Sequence, residues 1–229
     1  MFFRALATDY DGTLTADGTV EPATIAALER VIASGRRLVL VTGRELTDLR
    51  RVFPRLDLFA RVVAENGALL YRPATDEEVA LAEAPPAAFA ARLKERGATP
   101  LSVGRVIVAT RVPYDVDMRA AIRDLGLQLR IIANMGAAMA LPPGIDKASG
   151  LGVALKELDI APRHVVAVGD AENDREFLGA CGCGVAVENA LPALKAMAQW
   201  VTTRPRGAGV AELVDRLIAT DLAELRREP

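Results

Sequence analysis

Short apolar runs alternate with helix-like segments near both ends of this chain. Ile25, Leu28 and Ile32 recur at the spacing of one helical face. Gly35 follows as a helix stop, and residues 38–41 then form a fully apolar run. The same alternation resumes in the second half, where we predict helices at 150–158, 175–178 and 191–198 and strands at 164–168, 185–187 and 200–202. This pattern predicts an α/β fold with a Rossmann-like parallel-sheet core and helices on both faces.

The middle of the chain has a different pattern. A helix is predicted from residue 84 through Phe89 and Leu93, followed by a strand at 106–110, a helix at 116–125, and strands at 129–133 and 137–141. Proline-containing segments, Arg72-Pro73 and Pro142-Pro143-Gly144, stand on either side as candidate hinges. We therefore predict a core from residues 1–83 and 144–229, interrupted by an inserted α+β domain at 84–143.

Composition narrows the possible partners. The 229 residues are 51% hydrophobic and 25% charged, with a formal net charge of -2. This near-neutral balance favours no nucleic-acid partner, and no apolar run approaches the roughly 18 residues that span a bilayer. The residues after Met1 carry no secretory signal pattern, so we expect a cytoplasmic protein without a membrane partner, as a monomer or homodimer.

The segment Asp9-Tyr10-Asp11-Gly12-Thr13 directly follows an apolar run. Strand side chains alternate, so Asp9 and Asp11 are expected on the same side at the end of a strand. Unpaired carboxylates are rarely buried, so this pair indicates a cation or a phosphate-handling site. The alternative is that the two residues only cap a turn before Gly12.

Two further segments are candidate anion-binding groups. Thr42-Gly43-Arg44 follows the run at 38–41, where a hydroxyl and backbone N–H groups at a helix start could bind an anion. The alternative is an ordinary turn with a helix cap. Lys147 follows the second hinge, and by itself it is equally consistent with a solvated surface lysine.

A second acidic pair follows the strand predicted at 164–168. Asp170 and Asp174 lie on a loop introduced by Gly169, with Asn173 between them. A helix N-cap explains either aspartate alone, but it does not explain both together with the earlier pair. Oxygen ligands from two strand ends suit Mg²⁺, which binds one or two carboxylates, waters and phosphate oxygens.

Taken together, these motifs resemble the haloacid dehalogenase superfamily of phosphohydrolases, in its Cof-type or sucrose-phosphatase-like branch. The resemblance covers nearly the whole chain, because the four motifs occur in the order and spacing of that family. Two more stretches match the branch, Glu65-Asn66-Gly67-Ala68 and residues 185–190. The insert then resembles a small C2-type cap, which would cover the site and exclude water.

The resemblance implies a role for each motif residue. Asp9 would attack phosphorus to form an aspartyl-phosphate, and Asp11 would protonate the departing oxygen and later deprotonate the attacking water. Asp9, the Asp11 backbone carbonyl and Asp170 would bind Mg²⁺, and Asp174 would order a metal-bound water. The phosphate would be bound by Thr42, Gly43, Arg44, Lys147 and Asn173, although Arg44 could instead tie its loop to the core or contact the substrate.

The substrate is expected to be a small phosphate ester, with phosphoglycolate or a sugar phosphate as the working hypothesis. Any cap arginine that points into the cleft would favour a carboxylated or doubly phosphorylated substrate. The candidates are Arg105, Arg111, Arg119, Arg123 and Arg130. Two alternatives stay open: a phosphotransferase or mutase of the same superfamily, and a non-enzymatic aspartyl-phosphate switch. Asp11 and the insert both argue against the switch.

Overall fold

Two separate β-sheets form within residues 1–134 and 136–226, the part of the chain that this computed structural model describes. The strands are β1 (Ala5–Thr8), β2 (Arg37–Val41), β3 (Arg61–Ala64), β4 (Leu69–Arg72), β5 (Glu77–Ala80), β6 (Ser102–Val103), β7 (Val108–Arg111), β8 (Arg130–Asn134), β9 (Ala137–Leu141), β10 (Val165–Gly169), β11 (Cys183–Ala186) and β12 (Trp200–Val201). The larger sheet has the order β12-β11-β10-β1-β2-β3-β4-β5, and the smaller has the order β6-β7-β9-β8. The segment that forms the smaller sheet is therefore inserted between strands of the larger one.

Helices cover the larger sheet on both faces. The helices are α1 (Pro22–Ala33), α2 (Leu46–Val52), α3 (Ala87–Glu95), α4 (Asp115–Asp124), α5 (Lys147–Glu157), α6 (Arg175–Ala180), α7 (Pro192–Met197) and α8 (Arg206–Thr220). Helix α1 packs against α8, and α5 packs against α6 and the strands β2 and β3. The predicted α/β fold class is confirmed. None of the helices in the described part of the chain has both the length and the apolar character needed to cross a bilayer.

Strands β1 and β10 lie side by side at the centre of the core sheet. They are parallel, with Ala5 opposite Val165 and Thr8 opposite Val168, and every residue of both strands is buried. Such burial on both faces explains why these segments read as continuous apolar runs. Because the two strands end at the same edge, residues 9 and 170 emerge together, at the place where open α/β sheets form their ligand crevice.

The core sheet contains a hairpin that the sequence pattern does not predict. Strands β4 and β5 pair antiparallel beside β3, with Tyr71 opposite Glu78. Arg72-Pro73 begins the turn between these two strands, so the prediction of a hinge there is wrong. The edge strand β5 carries Glu77 and Glu78. Charged residues on an edge strand prevent pairing with other chains, but they also hide the alternation of apolar and polar residues that would identify the strand in the sequence.

The smaller sheet is antiparallel and packs one face against α3 and α4. The two helices contact each other, and the buried side chains between helices and sheet form an apolar cluster of their own. Its members include Phe89, Leu93, Val108, Met118, Ala138 and Ala140. This α+β segment is hereafter called the cap. The limits of 84 and 143 for a cap domain stay a prediction.

Glu65, at the end of β3, attaches the core to the cap. Its buried carboxylate accepts hydrogen bonds from three successive backbone N–H groups, those of Arg105 at 2.8 Å, Val106 at 2.8 Å and Ile107 at 3.0 Å. A Cβ atom at Gly104 would lie 2.6 Å from Oε1 of this carboxylate. The cap segment before β7 is therefore held at a specific place on the core.

We predict opposite effects for two glycines of α5. A Cβ atom at Gly150 would lie 2.6 Å from both Gly67 Cα and Val63 Cγ1, so Gly150→Ala should destabilise the protein by about 1 to 3 kcal/mol through overpacking. Gly152 has open space around the same position, so Gly152→Ala should stabilise the helix by about 0.5 to 1 kcal/mol. Urea unfolding of both variants measures these changes. A stabilised Gly150→Ala variant would contradict the close packing of α5.

Candidate active site

Three buried carboxylates converge at the ends of β1 and β10. One oxygen each from Asp9, Asp170 and Asp174 lies within 4.8 Å of the other two, and the residues are only 4%, 1% and 0% exposed. Asp9 follows β1 and Asp170 follows β10, while Asp174 ends a short 3₁₀ turn, Glu172–Asp174. The structure thus brings together the two acidic motifs of the sequence.

The loop after β1 fits closely over Asp170. Gly12 adopts a φ of 79°, and a Cβ atom there would lie 2.1 Å from Asp170 Oδ2, so only glycine fits. The Thr13 hydroxyl donates a hydrogen bond of 3.1 Å to Asp170 Oδ1. Glycine and threonine at these two positions therefore allow the first acidic motif to approach the second.

The acidic cluster is electrostatically strained as it stands. Burial raises the pKa of Asp9 well above its usual range, and the neighbouring Asp174 carboxylate raises it further. Burial and Asp174 likewise raise the pKa of Asp170 to about 6. A divalent cation among the three carboxylates would remove this penalty, and carboxylate oxygens are the ligands that Mg²⁺ prefers. The residues present therefore fit a magnesium ion.

Lys147 supplies a buried positive charge to the cluster. Its ammonium Nζ lies 2.6 Å from Asp9 Oδ1 and 2.6 Å from Asp174 Oδ1. Burial alone would lower the pKa of Lys147, but the two carboxylates raise that pKa above its usual value. The lysine therefore stays protonated although it is only 2% exposed.

The start of α5 determines the position of Lys147. Asp146 is the N-cap residue, and its side chain accepts the Ser149 N–H at 2.8 Å while its own N–H donates to the Ser149 hydroxyl at 3.0 Å. This reciprocal capping box holds the first turn of the helix rigidly. Lys147 is the first residue of that turn, so its side chain leaves the helix at a defined point beside Asp9.

Arg44 is engaged with two carboxylates. Its Nε and Nη2 atoms donate to the two oxygens of Asp11 at 2.7 and 2.6 Å, and Nη1 donates to Asp48 at 2.6 Å. These bonds raise the pKa of Arg44 and hold the Asp11 carboxylate at the pocket edge, where it is 41% exposed. The sequence analysis did not include Asp48, although its position four residues after Arg44 in α2 is a signal for such an ion pair.

Thr42 and Gly43 form the turn between β2 and α2. Thr42 is fully buried, and its hydroxyl accepts the Arg44 N–H at 3.1 Å. Gly43 has Asn66 and Met139 as its nearest neighbours and faces the pocket. A role of these residues in binding phosphate stays a prediction.

Asn173 is hydrogen-bonded to Asn66, and a role in binding phosphate stays a prediction. Its amide Nδ2 donates to Asn66 Oδ1 at 3.0 Å, whereas Lys147 Nζ contacts the two aspartates described above. Its Oδ1 atom is buried and has no hydrogen-bond partner within the described ranges. Asn66 also donates to the sulfur of Met139, so it links the core site to the cap.

A pocket of about 460 Å³ lies between the acidic cluster and the cap. The core side of this pocket includes Asp9, Asp11, Gly43, Arg44, Glu45, Asp48 and Lys147. The cap side includes Ser102, Ile107, Ala109, Arg111, Asn134, Ala137 and Met139. Of the five cap arginines considered from the sequence, Arg111 is the one among these lining residues. The alternation of side chains along the cap strands shows which residues share a face of the cap sheet. It does not show which of the two faces meets the core.

Comparisons with known proteins agree with this geometry. The sequence model of the haloacid dehalogenase-like hydrolases matches residues 6–95 and 116–214. A phosphoglycolate phosphatase from Methanothermobacter thermautotrophicus is 34% identical over 226 residues, covering 94% of this chain and 99% of the relative. Phosphoglycolate phosphatase 2 from Saccharolobus solfataricus is 31% identical, covering 93% and 92% of the two chains.

Solved structures share the whole fold. A haloacid dehalogenase-like hydrolase from Bacteroides thetaiotaomicron superimposes with a TM-score of 0.79 at 20% identity, covering 94% of this chain and 99% of the other. A sugar phosphatase of the haloacid dehalogenase subclass IIB has a TM-score of 0.75 at 19% identity, with coverage of 93% and 98%. At such low identity these neighbours establish the fold, and the full-length relatives and the family match establish the membership. The chain belongs to the haloacid dehalogenase-like hydrolase family and is a phosphatase of that family.

Proposed function

We propose that this phosphatase is magnesium-dependent and hydrolyses a small phosphate ester through an aspartyl-phosphate at Asp9. The observation that carries the proposal is the position of Asp9, which is buried at the end of β1 beside Asp170 and Asp174 and lies 2.6 Å from the Lys147 ammonium. Phosphoglycolate is the favoured substrate, because relatives that match over nearly the full length bear that name.

In the first step, an Asp9 carboxylate oxygen attacks the phosphorus atom. The bond from phosphorus to the ester oxygen breaks, and this oxygen receives a proton from Asp11. Asp11 suits this role because it lines the same pocket two residues beyond Asp9. In the structure its carboxylate is paired with Arg44, so it must leave this ion pair and take up a proton from solvent before it can donate one to the ester oxygen. The alcohol leaves towards the cap, and the phosphoryl group remains on Asp9.

In the second step, water attacks the phosphorus atom of the aspartyl-phosphate and transfers a proton to Asp11. The bond between phosphorus and Asp9 breaks, which releases phosphate and restores both carboxyl groups. Lys147 balances charge throughout, because its ammonium group lies beside the Asp9 oxygens and remains protonated. The cap limits the access of other water to the pocket.

Asp9, Asp170 and the backbone carbonyl of Asp11 are the groups that would bind Mg²⁺, and Asp174 lies close enough to the other two carboxylates to order a metal-bound water. When bound, the ion would supply the positive charge that offsets repulsion between a dianionic phosphate and the Asp9 carboxylate. Asp174 also accepts the backbone N–H groups of residues 170 and 171 through its second oxygen, at 2.9 and 3.0 Å. These bonds fix the loop after β10, so the donor oxygens are held in place before any ligand arrives.

The size of the required acceleration explains why so many groups converge. Hydrolysis of phosphate monoesters can require up to about 21 powers of ten, or about 29 kcal/mol at about 1.36 kcal/mol per decade. Proton transfer by Asp11 supplies only about 3 to 5 kcal/mol of this. Charge neutralisation and positioning must supply the remainder, which is consistent with a buried cluster of carboxylates and ammonium.

We expect the protein to release phosphate from p-nitrophenyl phosphate and from phosphoglycolate when Mg²⁺ is present. Asp9→Asn should abolish both activities because it removes the nucleophile, and its circular dichroism spectrum should remain that of the wild type. The control is Asp57→Asn, which changes an exposed aspartate of a core loop and should retain full activity. Wild-type rates in Asp9→Asn would disprove the nucleophile, and no turnover of either ester by the wild type would disprove the function.

Asp11→Asn should discriminate between leaving groups. An alkyl oxygen needs a proton in order to leave, so the rate of aspartyl-phosphate formation from phosphoglycolate should fall by about a hundredfold or more. Nitrophenolate is a much better leaving group, so the corresponding rate with p-nitrophenyl phosphate should fall far less. Rapid-quench measurement of the phosphoenzyme with each ester provides the comparison. Equal losses with both esters would exclude Asp11 as the general acid.

Mg²⁺ should raise the melting temperature of the wild-type protein. At a concentration about a hundredfold above its dissociation constant, the ion adds about 2.7 kcal/mol of stability, which corresponds to about 5 to 10 °C. Asp170→Asn should reduce this shift in melting temperature because it removes a metal ligand. In EDTA, the variant should melt no lower than the wild type, because it lacks a carboxylate whose pKa is raised by burial and by Asp174. Differential scanning calorimetry tests both points. A wild-type melting temperature insensitive to Mg²⁺ would contradict the metal site.

A further inference from the structure

The face of the cap sheet that meets the catalytic pocket has a simple pattern. Along β7, Ala109 and Arg111 line the pocket, while Val108 and Thr110 are buried on the opposite side. Because successive strand residues point to opposite faces, the pocket side of this strand can be followed onto its neighbours. The register of the sheet then shows which residues lie beside Arg111.

Arg111 belongs to a row of three residues that crosses the cap sheet. It lies opposite Ala137 of β9, and Ala137 lies opposite Asn134 of β8. All three residues line the pocket. Neighbouring strands are about 4.8 Å apart, so the Cα atoms of the arginine and the asparagine are about 10 Å apart, with only a methyl group between them. The row therefore forms a recess with a polar residue on each side.

The adjacent row is apolar throughout. Ala109 lies opposite Met139, and Met139 lies opposite Ile132. Among the residues of these three strands that line this pocket, the polar ones are thus Arg111 and Asn134, whereas Arg130, at the start of β8, lines an adjoining cavity. A substrate group that makes hydrogen bonds with this part of the cap must make them there.

Arg111 differs from the other cations of the pocket because its guanidinium has no partner in the described part of the chain. The guanidinium of Arg44 is paired with Asp11 and Asp48, and the ammonium of Lys147 is paired with Asp9 and Asp174. Across the described ranges, the Arg111 guanidinium makes no hydrogen bond or ion pair. A positive charge at a pocket wall without a protein partner is suited to an anionic ligand.

Asn134 adds an unsatisfied group on the other side of the recess. Its Oδ1 atom is buried and has no hydrogen-bond partner among the described residues. A half-turn of the amide exchanges Oδ1 with Nδ2, which is a hydrogen-bond donor, without changing the shape of the side chain. Asn134 can therefore complete a donor set for an anion that Arg111 binds.

The acidic residues of the pocket do not compete for this position. Asp48 is bound to Arg44 and Arg51, and Glu45 accepts a hydrogen bond from the Ser102 hydroxyl. Asp48 thus lies on the side of the pocket formed by α2, whereas Glu45 reaches the cap at Ser102, which lies opposite Ala109 and not in the row of Arg111. The row on the cap sheet is thus the favourable place for a negative charge in the leaving group.

We propose that Arg111 and Asn134 determine substrate specificity by binding a carboxylate of the leaving group. The substrate class is then the phosphate esters of short hydroxy acids, whose phosphate end occupies the acidic cluster while the carboxylate end reaches the cap. Arg111 would bind the two carboxylate oxygens with its planar donor pair, and Asn134 would donate through Nδ2. This inference rests on the proposed phosphatase function and adds the residues that would recognise the carboxylate of the substrate.

The test compares Arg111→Met with a matched control, Arg119→Met, which changes an exposed cap arginine on α4. The substrates are phosphoglycolate, its analogue in which a neutral carboxamide replaces the carboxylate, and p-nitrophenyl phosphate. Arg111→Met should lower kcat/KM for phosphoglycolate by about ten- to a hundredfold, chiefly through KM, because a charge-assisted pair is lost. The values for the other two substrates should stay within about twofold, and Arg119→Met should match the wild type with all three.

Two further variants separate the charge from the shape of the site. Arg111→Lys should recover part of the loss, because it restores the charge without the planar donor pair. Asn134→Ala should raise KM for phosphoglycolate by about three- to tenfold and leave p-nitrophenyl phosphate unaffected.

The possible failures are distinguishable. If the wild type hydrolyses p-nitrophenyl phosphate but Arg111→Met keeps the wild-type preference for phosphoglycolate over its carboxamide, the carboxylate subsite is wrong and the phosphatase stands. A wild type that prefers the carboxamide analogue to phosphoglycolate also overturns the subsite. If the wild type hydrolyses none of these esters, the proposed function fails, and the subsite fails with it.

Discussion

Burial of charge at the ends of β1 and β10 is the constraint on which the rest of the structure depends. Three carboxylates and one ammonium group lie together with almost no exposure to solvent. Charges in such a place are costly unless each has a partner, and one lysine cannot neutralise three acids. These charges come from distant parts of the chain: Asp9 follows β1, Lys147 begins α5, and the segment after β10 supplies both Asp170 and Asp174. Unfavourable electrostatic interactions of this kind are characteristic of functional sites that bind charged ligands.

The loop that follows β3 connects this charged centre to the cap. Glu65 holds the cap through three backbone N–H groups, and Asn66 contacts both Asn173 of the core and Met139 of the cap. Both residues adopt positive φ values, 52° and 57°, which are uncommon outside glycine. Strain of this kind persists where surrounding contacts over-determine the backbone. A single short turn therefore couples the position of the cap to the residues around the acidic cluster.

The pocket divides its chemistry between its two walls. The core wall carries the acidic cluster and two cations that already have carboxylate partners, and this combination is suited to phosphoryl transfer on Asp9. The cap wall presents Ser102 and the polar row of Arg111 and Asn134 among apolar side chains, and the Arg111 guanidinium has no partner among the described residues. Catalysis and substrate selection can therefore be carried out by different parts of the fold. Substitutions in the row of Arg111 and Asn134 leave the buried charges of the core unchanged.

Several features of this protein could be predicted from sequence, because they depend on local periodicity and on the order of motifs. The apolar runs at 38–41 and 164–168 predicted buried parallel strands, and the acidic motifs after β1 and β10 predicted convergence, since parallel strands end at one edge. The hairpin of β4 and β5 was not predicted, because its second strand is short and charged.

Only tertiary structure decided how the charged residues are paired. Asp9 and Asp11 are two positions apart, yet Asp9 contacts Lys147 and Asp11 contacts Arg44. The relation of Arg111 to Asn134 depends on the pairing of three strands and on which face of the cap sheet meets the core. Local sequence determines which residues alternate along a strand, but register and packing between distant segments determine what each side chain touches.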